Sequence, residues 1–204
     1  MAHNSYTNLS EKRILVAGAG VTGIAAAKAL VKRGSVVTLT DEKVDTVEGY
    51  SVIEPSAVDF AQFDSFLVSP GWREDHPLVV AARAGKVSII NEIDLAWSLK
   101  KPAQKWIGLT GTNGKTSTVE LTAQMVRAGG FSALACGNVG TTVIEAVESA
   151  ENYQYLVLEL SSFQLHWLED ANFVSSAILN IAHDHIDWHG SFDNYAAAKI
   201  SLLE

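Results

Sequence analysis

The stretch Thr110-Gly-Thr-Asn-Gly-Lys-Thr-Ser117 has the residue types that hold a phosphate chain. Gly111 and Gly114 permit a tight turn and let backbone N–H groups approach an anion. Lys115 is a point charge suited to β- and γ-phosphates, and the Thr116 hydroxyl suits Mg²⁺. The apolar run beginning at Trp106 reads as a strand ending at Thr110, and Thr118 to Ala128 is expected to be helical. Strand, glycine loop, Lys-Thr and helix form the layout of a phosphate-binding loop, with free N–H groups at the helix start facing the ligand. The general pattern has glycine where Leu109 stands, so this loop belongs to a shorter subclass.

Other polar residues follow apolar runs that read as strands. Asn138 follows Phe131 to Cys136, Glu159 follows Tyr155 to Leu158, and Asn180 and His185 follow Val174 to Leu179. Ligands bind at the C-terminal ends of parallel strands, so these residues and Lys115 are expected along one sheet edge. Glu159 reads as a carboxylate on the nucleotide's Mg²⁺, directly or through water, against the alternative of a solvated acid. His183, His185, Asp187 and His189 are close in sequence, but Trp188 breaks the spacing of a zinc hydrolase motif. Phe192 to Leu203 is expected to be helical, with Phe192, Tyr195, Ala196, Lys199 and Leu203 on one face. Position alone leaves Lys199 either aimed at the sheet edge or snorkelling to water.

The elements that position these groups form two successive α/β units. Arg13 to Ala17 reads as a buried strand, Gly18-Ala-Gly20-Val-Thr-Gly23 as a turn, Ile24 to Arg33 as a helix stopped by Gly34, and Ser35 to Thr40 as a second strand before Asp41. A Gly-x-Gly-x-x-Gly turn followed by that acid is the dinucleotide fingerprint, better evidence for some bound diphosphate than for NAD. Ser65 to Val68 ends in Ser69-Pro70-Gly71. A helix from Pro77 to Ala84, a strand over Val87 to Ile90 and a helix from Asn91 to Leu99 follow. Lys100 to Lys105 is polar, contains Pro102 and reads as a linker. Residues 1–101 are therefore expected to form a Rossmann-like parallel-sheet domain, and residues 102–204 a P-loop α/β domain.

The 204 residues, 48% of them hydrophobic, suffice for one large or two small cores. A formal net charge of −8 opposes extended nucleic acid binding but not a nucleotide held by one loop and a metal ion. Cys136, the single cysteine, cannot form an intrachain disulfide and sits in an apolar run that suits a buried inert thiol. The start, Met1 to Arg13, lacks the apolar core of a secretion signal, and no apolar run approaches membrane-spanning length. A soluble cytoplasmic protein without membrane insertion is the expectation.

The phosphate loop, the segment Glu159-Leu-Ser-Ser-Phe-Gln-Leu165, and the series Asn180, His185, Asp187, Tyr195 and Lys199 together resemble the Mur ligases of peptidoglycan synthesis. The wording of the Glu159 segment is similar to the D-glutamate-adding branch. Gly18 to Gly23, Ser69-Pro-Gly71 and Gly137-Asn138 fit it as well. The resemblance implies an ATP-dependent ligase that joins D-glutamate to UDP-N-acetylmuramoyl-L-alanine through an acyl phosphate. It implies ATP on Gly111, Thr112, Asn113, Gly114, Lys115, Thr116 and Ser117, and the UDP part on Gly18, Gly20, Val21, Thr22, Gly23, Asp41, Ser69, Pro70 and Gly71. Asn138, Ser161 and Gln164 would serve the sugar-peptide substrate. Thr116 and Glu159 would hold a first Mg²⁺, and His185 with Lys199, carbamylated by CO₂, a second; Lys115, His185 and Lys199 would be the catalytic set. Members of the family are longer, so the resemblance implies a piece that stops at Glu204 inside a truncated central domain, without the C-terminal amino-acid-binding domain and inactive alone. A UDP-sugar-binding module without catalysis, or another amide ligase of the Mur and folylpolyglutamate type, remain alternatives.

Overall fold

The computed structural model describes residues 9–204; residues 1–8, most of the stretch read above as lacking a signal core, lie outside the described residues. The chain divides into two compact units between Ser98 and Leu99, ahead of the boundary expected after Lys101.

The first unit is a five-stranded parallel sheet in the order β3-β2-β1-β4-β5. Its strands are β1 (Arg13–Ala17), β2 (Val36–Thr40), β3 (Ser51–Ile53), β4 (Ser65–Val68) and β5 (Ser88–Asn91). Ile14 to Ala17 and Phe66 to Val68 are fully buried, as befits central strands covered on both faces. The helices are α1 (Val21–Val31), α2 (Pro77–Ala84) and α3 (Glu92–Leu99). The buried face of α1 is made of Gly23, Ala25, Ala26, Ala27, Ala29 and Leu30, small residues that let the helix lie close to the sheet. α2 begins with Pro77 at its first position, and the His76 ring accepts from the Leu78 N–H at 3.1 Å. Because β1 lies between β2 and β4, the chain leaves it towards one side and returns on the other. The loops after β1 and β4, Gly18–Gly23 and Ser69–Gly71, therefore meet at the point where strand order reverses.

The second unit has a four-stranded parallel sheet in the order β7-β8-β6-β9. Its strands are β6 (Lys105–Thr110), β7 (Ala133–Gly137), β8 (Tyr155–Glu159) and β9 (Ser175–Ile178). Helices α4 (Lys115–Ala128), α5 (Val143–Glu148), α6 (Ser162–Trp167), α7 (Ile186–His189) and α8 (Phe192–Ile200) complete it. Leu109, Val119, Ala123 and Val157 pack α4 onto the sheet. With β6 between β8 and β9, the three loops that follow these strands share one edge.

Several expectations are corrected. α4 begins at Lys115 rather than Thr118, and α8 ends at Ile200, followed by a 3₁₀ turn at Ser201–Leu203. That turn buries Leu202 and leaves Leu203 exposed, so Leu203 does not share the face of Lys199. β3 was not anticipated, being three residues long at a sheet edge, too short for a periodic signal. The single-turn α7 was missed for the same reason.

A methyl group built on Gly23 would lie 1.8 Å from the Gly18 carbonyl oxygen, whereas one on Gly20 meets nothing within 4 Å. Gly23→Ala is expected to destabilise the first unit by about 3 kcal/mol through overpacking of backbone on backbone. Gly20→Ala should cost under about 1 kcal/mol, the size of a helix-cap change. Urea unfolding of both variants checks this; equal effects would contradict the close approach of α1 to the loop.

Candidate functional site

In the second unit, Gly111 to Gly114 form a loop that reverses at Gly114, whose φ of +80° favours glycine. Helix α4 starts immediately after it. The first bond in that helix runs from the Thr118 N–H to the Gly114 carbonyl at 3.1 Å, so the N–H groups of Lys115, Thr116 and Ser117 have no partner within the helix. Lys115 Nζ folds back to donate to the carbonyls of Gly111 and Thr112, each at 2.9 Å. All seven residues expected to hold the nucleotide, Gly111 to Ser117, lie together in this turn.

Glu159 ends β8 and is only 3% exposed, which corrects the alternative of a solvated acid. Thr116 Oγ1 donates to its Oε2 at 2.8 Å, and Asn138 Nδ2 to its Oε1 at 3.3 Å. The Asn138 approach depends on Gly137, which has φ +117° and would place a Cβ 2.3 Å from the Glu159 carbonyl oxygen. The Asn138 N–H also donates to that carbonyl at 2.9 Å. A buried carboxylate beside a hydroxyl is a set of hard oxygen donors that suits Mg²⁺, which binds through one or two carboxylates and completes its shell with phosphate oxygens and water. Among the described residues no group of three or more His, Cys, Asp or Glu side chains could hold a metal on its own.

Lys199 is 2% exposed, so it does not snorkel. Its Nζ donates to the Gly111 carbonyl at 2.9 Å and to Thr110 Oγ1 at 3.2 Å, and lies 4.9 Å from the centre of the Tyr195 ring. Burial lowers its pKa to about 8, the charge of Lys115 adds to the effect, and Asp184 opposes it. His185 precedes α7 with a left-handed φ of +50° and is half-exposed. Its ring stands 4.7 Å from Phe163 and 6.4 Å from Tyr195, so His185 and Lys199 flank the same tyrosine.

Ser161 and Gln164, expected to touch substrate, bond to each other. The Ser161 N–H donates to Gln164 Oε1 at 2.9 Å, and the Gln164 N–H to Ser161 Oγ at 3.2 Å. This is a capping box at the start of α6, a helix the sequence reading left undrawn although Ser-x-x-Gln was its signal.

In the first unit, Gly18 (φ +103°) packs against Ser69, and a Cβ there would lie 2.7 Å from Ser69 Oγ and 3.6 Å from Trp72 Nε1. Ser69 Oγ and Thr40 Oγ1 are buried hydroxyls without a hydrogen-bond partner. Gly20 caps α1 beside exposed Val21 and half-buried Thr22, with open space around the glycine. The turn Ser69-Pro70-Gly71 closes when the Trp72 N–H donates to the Ser69 carbonyl at 3.1 Å. Asp41 accepts from the Ala19, Lys43 and Val44 N–H groups at 2.8, 2.8 and 3.1 Å. Burial would raise its pKa, but these backbone bonds outweigh it and hold the carboxyl below its usual range. Asp41 thus shapes the loop it was expected to serve.

Sequence reasoning missed the tie between the phosphate loop and the segment after β9. Asn180 was placed at a strand end without a role, yet its side chain bonds the backbone of Thr112 and Asn113. Tyr195 was read as a face residue and as part of the family series, with no contact assigned, yet its hydroxyl is 2.8 Å from Thr112 Oγ1. No sequence signal marks pairs so far apart.

Residues 109–204 match the model of the Mur ligase middle domain. The chain is 43% identical to a UDP-N-acetylmuramoylalanine–D-glutamate ligase of Thermobifida fusca, over 95% of this chain and 44% of the relative. It is 40% identical to the same-named protein of Corynebacterium diphtheriae, over 94% of this chain and 43% of the relative. The chain thus spans less than half the length of these curated relatives. Among solved structures it is similar to a UDP-N-acetylmuramate:L-alanyl-gamma-D-glutamyl-meso-diaminopimelate ligase from Neisseria meningitides, with a TM-score of 0.58 and 16% identity over 95% of this chain and 68% of that one. A UDP-N-acetylmuramate–alanine ligase from Thermotoga maritima gives a TM-score of 0.53 and 24% identity over 94% of this chain and 46% of that one. At such identities these two likenesses concern the fold.

The site also contains a pH-sensitive support. His189 is buried, its Nε2 lies 2.9 Å from Ser162 Oγ, and its pKa is pushed down to about 4. Burial is the main cause, the charges of His166, His185 and Lys199 add to it, and Asp187 opposes. An unfolded histidine titrates near about 6.5. Between that value and about 4 the unfolded chain takes up a proton that the folded chain refuses, so this contribution is present above the unfolded value and is lost as pH falls. Replacing His189 by Gln removes the titration. The stability advantage of the unaltered protein over His189→Gln, measured by thermal unfolding, should shrink from pH 7 to pH 4.5, and a constant difference would exclude the buried neutral imidazole.

Proposed function

We propose that the chain is part of an ATP-dependent Mur ligase adding D-glutamate to UDP-N-acetylmuramoyl-L-alanine in peptidoglycan precursor synthesis, a reading supported by the match of residues 109–204 to the Mur ligase middle domain and by the names of its curated relatives. The observation that carries this reading is the buried Glu159 carboxylate, bonded to Thr116 at 2.8 Å where α4 leaves the phosphate loop. In this reading residues 1–101 bind the UDP-sugar and residues 102–204 bind ATP. A place in the cytoplasm is part of the same reading; among the described residues no helix is long and apolar enough to cross a membrane.

The chemistry follows from charge. The phosphate chain meets the free N–H groups at the start of α4, and Lys115 exchanges two neutral carbonyls for an anionic oxygen, a stronger charge-assisted bond. Thr116 and Glu159, already bonded to each other, would hold the first Mg²⁺. When bound, Mg²⁺ supplies neutralisation of the charge that develops on the phosphoryl group. The alanine carboxylate of the UDP-sugar attacks the γ-phosphorus and ADP leaves; the D-glutamate amine then attacks the acyl carbonyl carbon, forming the amide bond as inorganic phosphate departs and the nitrogen gives up a proton. His185 and Lys199 would hold a second Mg²⁺. As an ammonium Lys199 repels a metal ion; as a carbamate it offers oxygen ligands. Its lowered pKa supports that change, since only a neutral amine adds CO₂, releasing one proton. The UDP part falls to the Gly18–Gly23 loop and to Ser69, whose buried hydroxyl is a donor in need of an acceptor.

Two outcomes test the reading. Lys115→Ala should abolish Mg·ATP binding in calorimetry and leave UDP-sugar affinity unchanged; parallel loss of both would contradict separate sites. With ¹³C-labelled bicarbonate, the unaltered protein should show a bound carbamate resonance in NMR that Lys199→Arg lacks. It should grow as pH rises through about 8, where the amine loses its proton. No such resonance with Mg·ATP present would count against carbamylation.

A further inference from the structure

Asn180, just past β9, treats the phosphate loop as if it were a neighbouring strand. Its Oδ1 accepts from the N–H groups of Thr112 at 3.1 Å and Asn113 at 2.9 Å, and its Nδ2 donates to the Asn113 carbonyl at 3.0 Å. Its own carbonyl shares the Thr112 N–H at 3.0 Å. The Thr112 hydroxyl is held in turn. It accepts from the Ala182 N–H at 3.0 Å, reaches the Ala182 carbonyl at 3.3 Å, and meets Tyr195 OH at 2.8 Å. The first half of the loop is thus bonded to residues distant in sequence. The second half, from Gly114 into α4, leaves its N–H groups outside this network.

A loop with glycines at both ends has many conformations, and ordering it on binding costs affinity. A side chain that fixes half of it beforehand removes part of that cost. We propose that Asn180 is a positioning residue of the phosphate loop: its carboxamide takes the Thr112 and Asn113 N–H groups, so that phosphate is received by those of Gly114 to Ser117. The proposal rests on the nucleotide-binding reading above.

The unaltered protein provides the first test, by amide hydrogen exchange and ¹⁵N NMR with inorganic tripolyphosphate and with Mg·ATP. Without ligand, the Thr112 and Asn113 amides should be protected and those of Gly114 to Ser117 open. Ligand should shift and protect the second group and leave the first nearly still. Equal ligand-induced changes in both groups would overturn the proposal. Asn180→Ala should weaken tripolyphosphate and Mg·ATP by the same factor of about tenfold, the size of one net hydrogen bond. Asn180→Asp keeps the acceptor, but sets a carboxylate oxygen against the Asn113 carbonyl and adds charge near the phosphates, so it should bind more weakly than Asn180→Ala. UDP-sugar affinity, read on the other unit, should be unchanged in both variants. Unaltered affinity in Asn180→Ala would refute the positioning role alone. Failure of the unaltered protein to bind either probe would remove the nucleotide reading and this inference together.

Discussion

Two ammonium groups meet at one carbonyl. Lys115 and Lys199 each donate to the Gly111 oxygen at 2.9 Å, so their nitrogens are no farther apart than the two bonds laid end to end. At an effective dielectric constant of about 20, such charges repel by about 3 kcal/mol. Burial adds a desolvation cost for Lys199, which therefore releases its proton more readily than an ordinary lysine. The arrangement is tolerable because Thr110, Gly111 and Thr112 supply oxygens, and it concentrates positive charge where a phosphate chain would relieve it.

The parallel sheet makes this convergence possible. Every strand of the second unit runs the same way, so β6, β8 and β9 release their polar residues at one edge. Leu156 to Leu158 of β8 are apolar and fully buried, and the cost of burying Glu159 after them is offset by two hydrogen bonds at the strand end. Gly137 matters for the same reason. Any side chain there would collide with the Glu159 backbone and push Asn138 away from the carboxylate.

Much of this was legible in the chain. The apolar runs at Ile14, Phe66, Ile107 and Leu156 marked buried parallel strands, and the glycine patterns after two of them marked anion-binding turns. That Lys115 and Thr116 open a helix after a glycine loop, and that Glu159 ends a strand, was legible because each is tied to a local pattern. Elements without enough residues to show a period, β3 and α7, were invisible. α6 was visible only through its cap, the Ser161 and Gln164 pair, because a capping box and a polar binding segment are written with the same letters.

By itself, then, the sequence determined the longer strands and helices, the two glycine turns and the residue types suited to phosphate, since these follow from local periodicity and backbone freedom. Tertiary structure decided how they are used. Whether Lys199 would snorkel or be buried depended on where α8 packs, a choice that helical periodicity leaves open. Whether Asp41 would face a ligand or its own loop depended on which backbone N–H groups came within reach. The clasp of Asn180 on Thr112 and Asn113 exists only once β9 lies beside β6, because hydrogen bonds between distant residues leave no spacing in the chain to read.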